Sequence, residues 1–302
     1  MLVDKPAGLS SFKATTMVRK ALGARKAGHL GTLDPFATGL LPIAAGQATR
    51  LAEYVVPGQK EYLVKMMLGR STDTLDRDGR VTGEAPVPEL EESGLRSVLA
   101  EFRGVVKQRP PVYSALKVNG VPLYRLARKG SAPEPEPRDV LIHELELVGL
   151  EPPLVDLRLV CGKGTYVRSL ARDIARKLGT LGFVQELRRT AVQPFEIGQA
   201  APLDEIVEGL RSGRAGELLV PAAEALPAGW PRLNLPAEES AILMSGNRLG
   251  ADRTAEITAA HGESDRYALV DADGGLLAVL GTFPESGSGG PMLGPLKVFS
   301  VG

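Results

Sequence analysis

The 302-residue sequence holds a single cysteine, Cys161. One thiol can form no intramolecular disulfide and no thiolate metal cluster, which suits a reducing cytoplasm. Cys161 itself reads as a small buried hydrophobe. No apolar run approaches the ~18 residues of a membrane span. The N-terminus, MLVDKPAGLSS, lacks the apolar region of a secretory signal, so a cytoplasmic protein is expected. No phosphate-binding loop of the G-x-x-x-x-G-K-[ST] type and no dinucleotide fingerprint precedes a helix, which argues against a nucleoside or sugar-phosphate enzyme built on a glycine loop. Internal repeats are absent. DADGG (271–275) lacks the ligand spacing and closing glutamate of a calcium loop, and reads as a hairpin turn.

Net charge is also lacking: 36 Lys and Arg balance 36 Asp and Glu. The distribution is uneven. Residues 1–50 carry seven cations against Asp4 and Asp34, residues 103–130 carry seven and no acid, and residues 158–189 carry eight against Asp173 and Glu186. Segregation of this kind builds a basic face for a phosphate backbone. It is equally the pattern of solvated helix faces paired with acids on neighbouring segments.

The composition, 43% apolar and 24% charged, is that of a globular chain with a proper core. Ser10-Ser11 caps a helix that ends at Gly23. LLPIAAG (40–46) reads as a buried strand, ATRLAEYVV (48–56) as helical, and KEYLVKMMLG (60–69) as an alternating strand. A helix is expected over 87–102, a strand over 112–120 entering an Asn-Gly turn, and a helix over 121–130. Two antiparallel strands joined near Pro152-Pro153 precede a helix over 164–179. After about residue 220 the composition shifts. PAAEALPAGWPRLNLP marks a boundary, then come a short helix (237–244), strands over 266–283 and a flexible SGSGG loop (286–290).

The most unusual stretch is GHLGTLDPFATG (28–39). Asp-Pro alone starts turns and helices. In context, AGHLGTLDPFATGLLPIAAGQATR resembles the signature of the TruB family of RNA pseudouridine synthases. Further blocks follow in the family's order: DKPAGLSS (4–11), KEYLVKMMLGRSTDTLDRDG (60–79), RPPVYSALKVNGVPLYRLARKG (109–130), CGKGTYVRSLARDIARKLG (161–179) and FVQELRRTAV (183–192). Ser10 stands where the family pattern has threonine. These blocks span roughly residues 1–200. The 230–302 region resembles the family's PUA-like RNA-binding domain only weakly.

The resemblance implies an α+β fold: a mixed, largely antiparallel central sheet flanked by helices, with a small β-rich PUA-like domain at the C-terminus. It implies a catalytic domain over 1–228 and an RNA-binding domain over 229–302. The implied activity is isomerisation of uridine 55 in the tRNA T-loop to pseudouridine, without cofactor or metal, by a monomer acting on the T-arm stem-loop. Asp34 would be the catalytic carboxylate. Tyr62 would stack on the base, and Arg168 would pair with Asp34. Asp76 would join that polar cluster. His29, with Gly31 and Thr32, would lie in the RNA-binding loop, Leu187 would line the uracil pocket, and Lys5, Arg50 and the 103–130 cations would meet phosphates. Two other readings stay open: a guide-RNA-dependent member of the family, and an RNA-folding role, alone or beside catalysis. Tyr113 and Tyr124 read as packing residues, and His143 and His261 receive no role.

Overall fold

The computed structural model describes residues 1–118, 120–284 and 290–299. The chain runs β1 (Leu2–Lys5), α1 (Ser11–Ala21), β2 (Thr38–Ala45), β3 (Lys60–Leu68) and α2 (Glu92–Ala100). It continues through β4 (Gly104–Gln108), β5 (Arg138–Glu151), β6 (Leu154–Cys161) and α3 (Val167–Lys177). β7 (Gly182–Val192), β8 (Ala201–Pro202) and α4 (Leu203–Arg211) complete this part. The strands make one sheet in the order β8-β1-β2-β7-β3-β6-β5-β4. Only β8–β1 and β2–β7 pair in parallel, so the sheet is largely antiparallel, as expected.

Alternation decides which face of the sheet is covered. In β3, Tyr62, Val64, Met66 and Leu68 are buried, whereas Glu61, Leu63 and Lys65 point to the opposite, more open face. α1, α3 and α4 press their apolar sides into one core with the covered face. Ser10 caps α1, its hydroxyl accepting from the Lys13 amide at 3.2 Å. Antiparallel register sets Leu187 of β7 opposite Val64 and Arg189 opposite Tyr62.

β2 touches β7 only at Thr38 and Gly39. Beyond that point residues 75–77 take the edge of β7, as the Leu75 carbonyl and the Arg77 amide bond to Val184 at 3.1 Å each. This capture brings the 72–79 loop into line with β7, next to the glycine loop that feeds β2.

Several expected elements are shorter than the sequence suggests, among them the 121–130 helix, which covers only Leu123–Arg128. Of 112–120 only Lys117–Val118 is strand, paired with Val121–Pro122. The preceding carbonyls are used elsewhere, Tyr113 facing Arg168 and Ser114 accepting from the Tyr124 amide. Asn119, half of the expected turn, lies outside the described residues. The 164–179 helix starts at Val167 because Gly164 takes φ +84° and the Tyr166 amide bonds to the Gln108 side chain. The helix expected over 87–102 starts at Glu92.

A second sheet follows, in the order Arg232–Leu233, Arg266–Val270, Leu276–Phe283, Met292–Val298, with helices Ala237–Met244 and Ala251–His261 beside it. Asp271 closes its hairpin, its carboxylate accepting from Asp273 and Gly275, so 271–275 is a turn as read. Of the 286–290 loop, residues 286–289 lie outside the described residues. Trp230 meets Tyr54 edge-on at 5.2 Å, which ties the second sheet to the first.

Gly182 fixes how closely α3 lies on β7: a Cβ there would stand 2.6 Å from the Ala175 Cβ. Gly182→Ala is expected to lower unfolding free energy by ~1–3 kcal/mol through overpacking, measured by denaturant titration. Unchanged stability would show that α3 is not held so tightly.

Candidate active site

Asp34 sits on the loop between the Ala27–His29 strand and β2, half-exposed, with its side chain 31% accessible. Its partner is Arg168 on the first turn of α3, whose side chain is 5% accessible and whose Nε donates to Asp34 Oδ2 at 2.8 Å. The rest of the guanidinium reaches three more acceptors. Nη1 donates to the Thr74 carbonyl at 2.7 Å and lies 3.3 Å from Asp76 Oδ2, and Nη2 donates to the Tyr113 carbonyl at 3.0 Å. A planar fork can serve four acceptors in this way and an ammonium cannot.

Asp76 is buried, and burial raises its carboxyl above the usual range, with Asp34 adding to the rise and Arg168 and Thr74 opposing it. It accepts from Thr74 Oγ1 at 2.6 Å and from the Asp78 amide at 3.1 Å. It is therefore both an Asx turn and a member of the cluster. Between Thr74 and Asp76, Leu75 holds φ +63°, in the left-handed region. That strain lets both neighbours face Arg168.

Tyr62 is buried opposite Arg189. Burial pushes its phenol up, while the positive charge of Arg189 pulls it back. Arg189, which the sequence reading assigned no role, is wholly buried and organises the glycine loop. It donates to the Leu40 carbonyl at 2.8 Å, Thr32 at 3.2 Å and Gly31 at 3.0 Å, gripping the loop on both sides of Asp34. Gly39 is required beside it, with φ +103° and no room for a Cβ, which would lie 2.3 Å from the Arg189 carbonyl. The FVQELRRTAV block contains this residue, and strand alternation puts 187 and 189 on one face. Gly31 and Thr32 thus act through backbone carbonyls. The Ser11 hydroxyl bonds both the amide and the carbonyl of Leu33, adding a third brace.

Lys5 is placed differently from expectation. It is fully buried, and its ammonium donates to the carbonyls of Pro6 (2.7 Å), Leu9 (2.8 Å) and Pro35 (3.3 Å). Three donors on three carbonyls leave none for a phosphate. Lys5 instead pins the residue after Asp34. Burial pulls its ammonium down to about 8, Asp34 opposing and Arg189 adding to the shift. Lys60, on β3, is a second buried ammonium, also pulled down to about 8, chiefly by burial and next by Arg189.

Arg50 is turned toward the second sheet, donating to the Val298 carbonyl at 2.7 Å and lying 5.3 Å from the Phe299 ring centre. His29 is half-buried, its Nδ1 without a hydrogen-bond partner, and burial and then Arg189 lower its pKa, favouring the neutral ring. Leu187 is buried beside Val64 and borders a cleft of about 320 Å³ with Phe36, Leu63 and Arg77; this cleft does not include Asp34, Tyr62 or Arg168. Cys161 is buried and its thiol pushed up to about 11, as a small hydrophobe should be.

Many of the clustered cations have partners. Arg109 meets Glu134 at 2.9 Å, Lys107 meets Asp139 at 3.6 Å, and Arg158 gathers Glu61, Glu144 and Glu146. Arg188 forks onto Asp4 at 2.7 and 3.1 Å.

Between pH 8 and 10.5 the unfolded chain keeps the Lys5 proton while the folded chain releases it, so this group's contribution to stability rises with pH across that window. The parent protein should therefore gain stability relative to Lys5→Met between pH 8 and 10, read from paired denaturant curves. A constant difference would remove the shifted ammonium.

The chain matches the description "TruB family pseudouridylate synthase (N terminal domain)" over residues 19–167, and "tRNA pseudouridylate synthase B C-terminal domain" over 168–226. A Xylella fastidiosa protein named tRNA pseudouridine synthase B is 42% identical over 250 residues, 82% of each chain. One of the same name from Xanthomonas campestris pv. campestris is 42% identical over 281 residues, 91% of each chain. Another, from Aromatoleum aromaticum, is 42% identical over 275 residues, covering 91% of this chain and 88% of its own. Among solved structures, a Cbf5-Nop10-Gar1 complex contains a chain of similar fold, with TM-score 0.72 and 24% identity over 99% of this chain and 84% of that one. With these matches running through the residues that build the Asp34 cluster, the chain belongs to the TruB family of pseudouridylate synthases.

Proposed function

We propose that this protein converts uridine 55 of the tRNA T-loop to pseudouridine, with Asp34 as the catalytic carboxylate acting on a flipped-out nucleotide. The observation that carries the reading is the 2.8 Å ion pair between half-exposed Asp34 and buried Arg168 on a braced loop. The relatives' shared name, tRNA pseudouridine synthase B, supports the substrate class.

An ionised carboxylate can attack or deprotonate the nucleotide and then depart without a metal. A buried guanidinium pairs with it at 2.8 Å and aims it. Flipping the base costs a few kcal/mol, offset in part by aromatic faces. Tyr62 offers one and the neutral ring of His29 another. Leu187, two register positions from Arg189 on the same face, packs against the uracil. The reading invokes no cofactor and no metal ion, and places a cytoplasmic monomer on the T-arm stem-loop. We divide the chain into a catalytic domain (1–228) and a PUA-like RNA-binding domain (229–302). Because flipping opens tRNA tertiary contacts, tRNA folding is included as a second activity.

The test is pseudouridine mapping at single-nucleotide resolution on an unmodified tRNA transcript. The parent should modify one T-loop uridine. Asp34→Asn should lose about 10⁴-fold or more in turnover while binding tRNA within about threefold of the parent and still assisting its folding. Near-parental turnover would remove Asp34 from the chemistry, and loss of folding assistance along with turnover would remove the second activity.

A further inference from the structure

The partners described above account for many cations of the 103–130 and 158–189 clusters, and Lys5 and Arg50 are spent on carbonyls. The remaining five of residues 1–50 stand apart. Lys13, Arg19, Lys20, Arg25 and Lys26 take part in no side-chain hydrogen bond, ion pair or ring contact among the described residues. Arg19 is half-buried, and the other four are exposed.

They lie along one element. α1 turns Ala14, Thr15 and Val18 into the core. Phe12, Thr16, Arg19 and Lys20 recur at helical spacing on the outer side. Phe12 is 77% exposed, the most exposed large apolar side chain among the described residues. Phe12 and Lys20 are eight residues apart, about 12 Å along the axis. Arg25 and Lys26 extend the row past Gly23.

The row begins at the catalytic loop. Ser11, next to Phe12, bonds Leu33, the residue before Asp34, and the Gly8 amide bonds the Pro35 carbonyl after it. α1 nevertheless adds no hydrogen bond or ion pair to the cluster of Asp34, Arg168 and Tyr62. Asp204, Glu205 and Glu208 stand on α4, the helix packed against α1, and none of them pairs with its cations. Unpaired cations with an exposed aromatic ring are what a nucleic-acid strand needs: charge for phosphates and a face for a base.

We propose that the outer face of α1, with Arg25 and Lys26, is a track for the tRNA backbone outside the T-arm stem-loop, on which Phe12 stacks an unpaired base. The proposal rests on the tRNA reading above. It adds a second contact region beyond the loop that receives the target nucleotide. Each phosphate neutralised contributes close to one unit to the slope of log affinity against log salt.

The experiment compares two RNAs, a full-length unmodified tRNA transcript and its isolated T-arm stem-loop, by binding at several salt concentrations. The proteins are the parent, Phe12→Ala and the combined variant K13E/R19E/K20E. Phe12, Lys13 and Lys20 are exposed and Arg19 is half-buried, and circular dichroism confirms folding. The combined variant should bind tRNA at least ~10-fold more weakly, with a salt slope shallower by about two units, and Phe12→Ala about fivefold more weakly. Affinity for the stem-loop should stay within twofold. Parental tRNA affinity in both variants overturns the track, and equal loss on both RNAs overturns its placement outside the T-arm. A parent that binds tRNA through this face yet forms no pseudouridine supports the track and overturns the catalytic reading instead.

Discussion

The site depends on one guanidinium. Arg168 joins Asp34 to the Thr74 carbonyl, the Asp76 carboxylate and the Tyr113 carbonyl, so three loops far apart in sequence meet at one planar group. Arg168 stands on a helix whose distance from the sheet is set by Gly182 against Ala175, and the sheet is opened at β2–β7 so that two of those loops reach it. Shifting the helix, the 72–79 loop or the glycine loop would disturb the same set of hydrogen bonds.

A second constraint lies beneath the glycine loop. Lys5, Lys60 and Arg189 are buried cations whose hydrogen bonds go to backbone carbonyls. Buried charge without a carboxylate partner is costly unless its donors are satisfied. Here the carbonyls satisfy them, and the loop gains rigidity from the same contacts. The arrangement leaves Asp34 as the anion that faces Lys5 and Arg168. Its charge is held by geometry while part of its surface stays open to a ligand.

Much of this was legible in the sequence because it is local. Alternation marked β3, β5 and β6. Ser10 and Gly179 marked helix ends, and the glycine loop with its single acid marked the site. Asp76 could be read two ways, as a turn residue or as a cluster member, and it is both, because an Asx turn uses one carboxylate oxygen and leaves the other for Arg168. Lys5 was misread for a physical reason. A lysine near a motif looks like a phosphate contact until the fold shows that three carbonyls surround it. The 112–120 segment has strand-like composition, but Arg168 takes the Tyr113 carbonyl, and the ladder shortens to two residues.

The sequence by itself determined the family, the mixed α+β class, the order of the elements and the stretch that holds the candidate site, since periodicity, capping and the long glycine motif are properties of neighbouring residues. Only the tertiary structure decided which charges face each other. Arg189 beneath the loop, Arg50 on the second sheet and the unpaired row on α1 are set by register and packing between segments up to about 250 residues apart. A count of charges along the chain carries no record of such pairings.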